Sequence, residues 1–421
     1  MKSPSIRASA PFVTAVLAFS QVANLVSAMA FPSVLPSAAT AWQLSTAEAG
    51  WVGGSLFAGY AAAVPLLSSS ADRLDSRWIV LASSLLGATC SLALAYVAGG
   101  FWSAMTIQFL AGVALAGVVM PAFVLLTHLV QGPHQSRCAS IYSASYALGS
   151  AGSFLVAGIV SAIFGWRAVF ISGAIGPFLA AVTIPLLPRP PSHVPREGRA
   201  GGFVDALGNK RFMGFAIGFA GNTWEVFSIR VWFVACLTWT SQLPGNELTF
   251  LNPPVLSGIA ALLGVPAGIL VAELATKWGR APAIVATCIV SGLVCLSLAM
   301  TAGGPIIPVL ILLMLLQMTS FADVATLSVG AVTSVHPQRR GAAMAVYSLI
   351  GYLAGFAGSV TFGLFLGWFG GASSSTGWFA AFLMLIAGPI VTSVVVWRLR
   401  KASPGIETDQ DRAGTVVRSS S

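Results

Sequence analysis

Residues 68–77 read SSSADRLDSR, and residues 272–281 read AELATKWGRA. Each is a short charged island between two long apolar runs, and the two islands stand 204 positions apart. A second pair has nearly the same spacing: IYSASYALGSAGS opens at Ile141 and VYSLIGYLAGFAGS at Val346, an offset of 205 to 206. Matched stretches at almost one offset mark an internal repeat, so the chain reads as two related halves. Composition gives the solvent of those halves. Of 421 residues, 56% are hydrophobic and 8% charged, with a mean hydropathy of +0.86. An ordinary soluble domain carries about 25% charged residues. A chain this poor in charge cannot cover a water-facing surface, so its surroundings are mostly lipid.

A spanning helix needs ~20 mostly apolar residues, whereas a barrel strand needs ~10 alternating ones. Twelve runs meet the helical requirement: 11–33, 47–69, 78–98, 102–127, 139–164, 168–187, 212–240, 255–275, 282–302, 306–333, 341–369 and 378–398. The expected class is all-α integral membrane. With the N-terminus in the cytoplasm, all of the 21 basic residues except Arg167 and Arg230 fall on the cytoplasmic side. That bias sets both termini inside. Trp51, Trp102, Trp166, Trp239, Trp278, Trp378 and Trp397 fall near run ends, as an interfacial belt requires. Ala28-Met29-Ala30 resembles a signal-peptide site. The run around it is long and contains Gln21 and Asn24, so it is read as an uncleaved first span. The halves are set at 1–187 and 212–400, joined by a polar cytoplasmic linker at 188–211 and followed by a disordered tail at 401–421.

The net charge of +9 follows from loop topology and points away from nucleic acid. The five cysteines have no CxxC spacing; four read as small core residues, with Cys138 at a helix end. His128 and His134 lack metal-ligand spacing. No nucleophile elbow, HExxH or P-loop is evident, so the chain is expected to be no enzyme and to need no cofactor or metal.

On the two loop islands and the repeated helix motifs, the chain resembles the major facilitator superfamily over essentially its whole length. Asp72 and Arg73 match that family's Asp-Arg after helix 2, and Arg77 its final basic position. In the second copy Gly279 and Arg280 match, while Ser68, Asp75 and Thr276 depart from the pattern. NTWEVFSIRVW in the seventh run and FADVATLSVGAV in the tenth look similar to the nitrate/nitrite and cyanate permease neighbourhood. The resemblance implies two six-helix bundles related by a pseudo-two-fold axis, with helices 1, 4, 7 and 10 around a central path. It also implies gating by Asp72, Arg73, Arg77 and Arg280, with Asp72 facing the positive N-terminal end of helix 11.

Charges inside a membrane cost about 2.5–3.5 kcal/mol each on insertion scales, so each one asks for a reason. Glu225, Arg230 and Asp323 lie well inside runs, and Glu273 lies near a run end. The seventh run also carries Asn222 and Trp224; Gln317, Ser320 and Asp323 form a polar stripe on the tenth, and Gln21, Asn24 and Ser27 repeat that spacing on the first. These residues are the candidates for solute binding or coupling. Arg230 is expected to bind an anion, Trp224 to stack on the solute, and Glu225 or Asp323 to carry a coupling proton. A purely structural ion network among the three charges is the rival account. The expected function is secondary active transport of a small organic or inorganic anion by a monomeric inner-membrane protein. An exporter of amphipathic drugs or metabolites, and a non-transporting solute sensor, are the alternatives.

Overall fold

The structure, a computed structural model, describes residues 9–70, 74–190, 199–247, 252–336 and 339–402. Among these residues all regular structure is helical. In chain order the helices are α1 (Ala10–Ala28), α2 (Ala30–Ala41), α3 (Thr46–Ser70), α4 (Ser76–Tyr96), α5 (Phe101–Leu129), α6 (Gln135–Phe164) and α7 (Trp166–Thr183), then α8 (Arg199–Gly208) between the halves. The second half holds α9 (Lys210–Ser241), α10 (Pro253–Trp278), α11 (Arg280–Met300), α12 (Ile306–Ala322), α13 (Val324–Thr333), α14 (Arg340–Trp368), α15 (Ser375–Leu385) and α16 (Ala387–Ala402). The pairs α1/α2, α12/α13 and α15/α16 are each one span interrupted by a single residue: Met29, Asp323 and Ile386.

Eleven of the spans are long and apolar enough to cross a membrane. The twelfth, α9, has 32 residues but falls outside that set. Asn222, Glu225 and Arg230 lower its mean hydropathy. Its residues from Phe212 to Leu237 are nearly all buried, so protein takes the place of lipid around it.

Corresponding helices pair alike in the two halves. α3 packs on α5 as α10 packs on α12; α1 packs on α6 and α7 as α9 packs on α14 and α16; α4 meets α5 and α7 as α11 meets α12 and α16. This is the twelve-span, two-bundle architecture that the repeat implied. One difference concerns the stretch read as a polar linker. It contains α8, whose Ala206 is buried against the second bundle and whose Asp205 is ion-paired with Arg339 at the start of α14. Ten residues are too short for a membrane-span signal, so hydropathy leaves such a helix invisible.

Within the first bundle α3 and α5 meet backbone to backbone. A Cβ on Gly112 would stand 1.9 Å from the Leu56 carbonyl oxygen, and one on Gly59 would stand 1.9 Å from that of Phe109. Lipid tails are as apolar as leucine, so such helices associate through close van der Waals contact rather than through water exclusion.

The two bundles meet along α3–α14 and α6–α10. Among the described residues, the hydrogen bonds and ring contacts that join them fall at mid-span or toward the end that carries the α2–α3 turn. Asn252 Nδ2 donates to Gly158 O at 3.0 Å, Trp51 meets Phe356 at 5.4 Å, and Phe57 stacks on Phe227 at 4.1 Å. A cavity of about 750 Å³, lined by Gln43, Glu48, Trp232 and Trp239 among others, opens beyond that seam at the same end. The described bonds and ring contacts between the halves thus lie in the half of the span away from α8.

Gly112→Ala should lower the thermal midpoint of purified protein, at a cost of about 1–3 kcal/mol for overpacking; an unchanged midpoint would mean that α3 and α5 separate freely. Gly50→Val tests the seam, because a Cβ there would stand 2.9 Å from Ser359 O. A cysteine placed at the buried Ser359 should react several-fold faster with an impermeant maleimide in the Gly50→Val background. Equal rates would show that this contact does not seal the seam.

Candidate functional site

Arg230 lies in the middle of α9 and is 4% exposed. Its guanidinium carbon stands 5.3 Å from the centroid of the Phe321 ring of α12. Its polar neighbours are the phenols of Tyr146 on α6 and Tyr352 on α14. Those two hydroxyls are 3.2 Å apart, one from each bundle. Tyr60 of α3 stacks on Tyr352 at 3.8 Å, and Phe227 of α9 lies 5.0 Å from the same ring. An aromatic cage of Phe321, Tyr146 and Tyr352 therefore meets the cation at the junction of the halves, with Tyr60 and Phe227 packed on Tyr352 behind it. The described ion pairs are Arg77–Asp75 and Arg339–Asp205, and neither involves Arg230. The buried guanidinium is held by the Phe321 ring face and two phenols, without an acidic partner among the described residues. Ring faces attract a cation, by about 2 kcal/mol or more when desolvated, but they leave a charge that an anion can still neutralise.

Glu225 and Asp323 lie elsewhere. Each is 2% exposed, and both line a small pocket inside the second bundle between α9, α11, the α12–α13 junction and α16. Ser291 of α11 donates to Glu225 Oε1, and Cys295 Sγ approaches the same oxygen at 3.9 Å. Asn222 Nδ2 donates at 2.7 Å to Asp323 Oδ1, and Cys288 Sγ reaches Oδ2 at 3.7 Å. The three intramembrane charges thus do not form an ion network. On α9, Glu225 and Arg230 are about 140° apart around the axis, which sends them to different neighbours.

The other candidates turn into their own bundles. Asn24 Nδ2 donates to Ser84 Oγ at 3.0 Å and Gln317 Nε2 to Ser257 O at 2.9 Å. Ser320 Oγ donates to Gln317 O at 3.3 Å, while Gln21 is buried with its Oε1 unpartnered. A shared polar stripe along the central path is therefore not what α1 and α12 present. Buried amides take the nearest acceptors, and these belong to adjacent helices. The Trp224 backbone lies against Gly358 of α14 and the edge of its ring against Gly388 of α16, within the second bundle.

Of the expected gating residues, Asp72 and Arg73 lie outside the described residues. Arg77 pairs with Asp75 at 2.6 Å and donates to Leu187 O at 2.8 Å, and Arg280 donates to Thr333 Oγ1 at 3.2 Å. The bonds to Leu187 and to Thr333 each stay within one bundle and tie helix ends together. Sequence reasoning missed Tyr60, Tyr146, Tyr352, Phe57, Phe227 and Phe321. The signal for two of them was on hand: Tyr146 and Tyr352 occupy the same place in the repeated motifs, 206 positions apart.

Comparison with known proteins agrees with this architecture. The chain is 24% identical over 385 residues to a gentisate transporter of Corynebacterium glutamicum, covering 88% of this chain and 84% of that one. It is 24% identical over 158 residues to a niacin transporter of Acinetobacter baylyi, which covers 38% of this chain and 36% of the relative. Among solved structures, a bacterial homologue of the human lysosomal transporter Spinster superposes with a TM-score of 0.76 at 14% identity, over 95% of this chain and 98% of that one. A nucleoside transporter superposes with a TM-score of 0.72 at 15% identity, over 92% and 99%. The family model described as Major Facilitator Superfamily matches residues 17–359. With most of its length under that model and its helices paired as two repeated bundles, the chain belongs to the Major Facilitator Superfamily, as a multi-pass membrane transporter.

Proposed function

We propose that this chain moves a small aromatic carboxylate across the inner membrane by alternating access, with Arg230 as the carboxylate-binding residue. The observation that carries the reading is a buried guanidinium, caged by rings from both bundles, with no acidic partner among the described residues. A guanidinium fork matches a carboxylate in two parallel hydrogen bonds. Ring faces suit a planar solute. Two transporters to which the chain is similar are named for gentisate and niacin, both aromatic acids. The loop charges support termini in the cytoplasm. On that orientation, the described contacts between the halves lie toward the periplasmic side. Coupling to protons, carried by Glu225 or Asp323, completes the reading, and one chain containing both bundles suffices for the cycle.

Thermal-shift measurements on purified protein with gentisate, nicotinate and a cationic amphiphile test this directly. A ligand at about a hundred times its Kd stabilises the folded state by about 2.7 kcal/mol. The aromatic acids should raise the midpoint, and Arg230→Ala should abolish the shift. Arg230→Lys should keep the charge but lose the fork, weakening binding by about tenfold or more. A shift with the amphiphile alone, or one that survives Arg230→Ala, would overturn the assignment.

A further inference from the structure

A pocket that the transport reading does not use lies at the α8 end of the first bundle, between the first turn of α4 and the 3-10 turn Ile184–Leu186 that follows α7. Arg77, Trp78, Leu81, Ile184, Pro185 and Arg189 line a cavity of about 300 Å³. Two of these six are arginines and none is acidic. Arg77 is largely committed: Nε and Nη2 donate to the Asp75 carboxylate, and Nη1 donates to Leu187 O at 2.8 Å. Asp75 balances its charge, yet each terminal nitrogen keeps one N–H without a partner among the described residues. Arg189 is exposed and enters neither of the described ion pairs. It leaves the pocket with a surplus of positive charge.

What flanks the pocket narrows its occupant. Trp78 and Leu186 are 62% and 64% exposed beside the two arginines. Behind Trp78 on α4 stand Leu85 and Leu92, and behind Leu186 on α7 stand Val182 and Ile175, all of them exposed. Steps of four and seven residues stay on one face of a helix, so each helix carries an outward apolar stripe. α4 and α7 pack on each other, and both stripes lead away from the same pocket. From Trp78 to Leu92 the rise is about 21 Å, more than the ~15 Å of hydrocarbon in one leaflet. A water-soluble anion would use the arginines and leave the stripes bare. A phospholipid uses both, its phosphate on the cations and its acyl chains along the stripes. Trp78 stands at the boundary between them, where an indole is favoured. At the 204-residue offset Trp78 corresponds to Pro282 and Arg189 to Ser393, so the second copy of the repeat lacks both.

We propose that this pocket is a binding site for one anionic phospholipid, with Arg189 and the spare N–H groups of Arg77 on its phosphate and Trp78 beside its glycerol. Basic pockets between helix ends on the cytoplasmic face suit anionic headgroups, and the loop charges put this end in the cytoplasm in the proposed orientation. The lipid acts on the first bundle. Arg77 already ties the start of α4 to Leu187, just past the end of α7. A phosphate held between Arg77 and Arg189 extends that tie one step further along the chain, and so fixes the point at which the chain leaves the first bundle. The site is independent of the aromatic-acid reading, because neither Arg230 nor its cage lines this pocket.

Purified full-length protein in mixed micelles of detergent and phosphatidylcholine tests the site. Dioleoyl-phosphatidylglycerol added to these micelles should raise the thermal midpoint saturably, and native mass spectrometry should find one phosphatidylglycerol retained per chain. Arg189→Ala should weaken that binding by about fivefold or more, the worth of one basic residue against an anionic headgroup. Trp78→Ala should weaken it as well while leaving every charge in place. Arg189 makes no ion pair among the described residues, so Arg189→Ala should keep the wild-type midpoint in phosphatidylcholine alone, which shows that the variant is folded. Arg400→Ala is the control. It removes a cation from the same end of the second bundle, where Arg400 stands 4.9 Å from the centroid of the Trp397 ring, and it should leave the retained phosphatidylglycerol in place. Equal weakening by Arg189→Ala and Arg400→Ala would mean diffuse attraction to the whole face and would overturn the site. Equal midpoint shifts with added phosphatidylcholine and phosphatidylglycerol would overturn it too. A shift of the same size with inorganic phosphate would mark a place for a free anion and remove the lipid.

Discussion

A guanidinium that stays charged in a membrane interior constrains everything around it. Arg230 cannot face lipid without a cost of several kcal/mol, so α9 must be wrapped by protein along its length, and it is the span that hydropathy alone does not count. Its neighbours are α14, α16, α12, α13 and α2. The cage is made of rings because rings satisfy two demands together: they exclude lipid and they present negative faces to the cation. Because Tyr60 and Tyr146 come from the first bundle while Tyr352 and Phe321 come from the second, the environment of this one charge depends on how the bundles sit against each other. An alternating-access protein needs a bound solute to make different contacts in its two states, and a cation at the joint meets that need.

The repeat is a scaffold from which the two copies have diverged. Tyr146 and Tyr352 are its equivalent residues, and they meet hydroxyl to hydroxyl. Ser153 and Ser359 are equivalent as well, yet they do different things. Ser153 Oγ accepts the Met29 amide at 3.1 Å and donates to Val26 O at 2.6 Å, stapling the break between α1 and α2. Ser359 O instead accepts the indole of Trp232 at 3.2 Å, beside an unbroken α9. The interior pockets differ in the same manner, neutral in the first bundle around Asn24 and Gln108 and acidic in the second around Glu225 and Asp323. Pairing of helices is common to the copies; the chemistry is not.

Much of this fold was legible because lipid imposes a coarse rule. Every span must satisfy its own backbone, so run length and loop charge report the helices, and the 204-residue offset reports the duplication. α8 was not legible, since a short amphipathic helix outside the membrane leaves no hydropathy signal. The site was half legible. Arg230, Glu225 and Asp323 stood out because charges in apolar runs are rare. Which of them share a neighbourhood depended on helix rotation, and a five-residue separation on α9 sends Glu225 and Arg230 different ways. Aromatic residues in a membrane chain are too common to single out, so the cage around Arg230 emerged only from packing.

The docking of α8 has a mechanical corollary. Asp205 and Arg339 clasp it to α14, Ala206 is buried against the second bundle, and Asn209 Nδ2 donates to Ser334 O at 2.7 Å. α8 therefore belongs with the second bundle, and the passage from one bundle to the other lies N-terminal to Arg199. A proteolytic cut ahead of Arg199 would then part the molecule into two six-span pieces, with α8 travelling as cargo of the second.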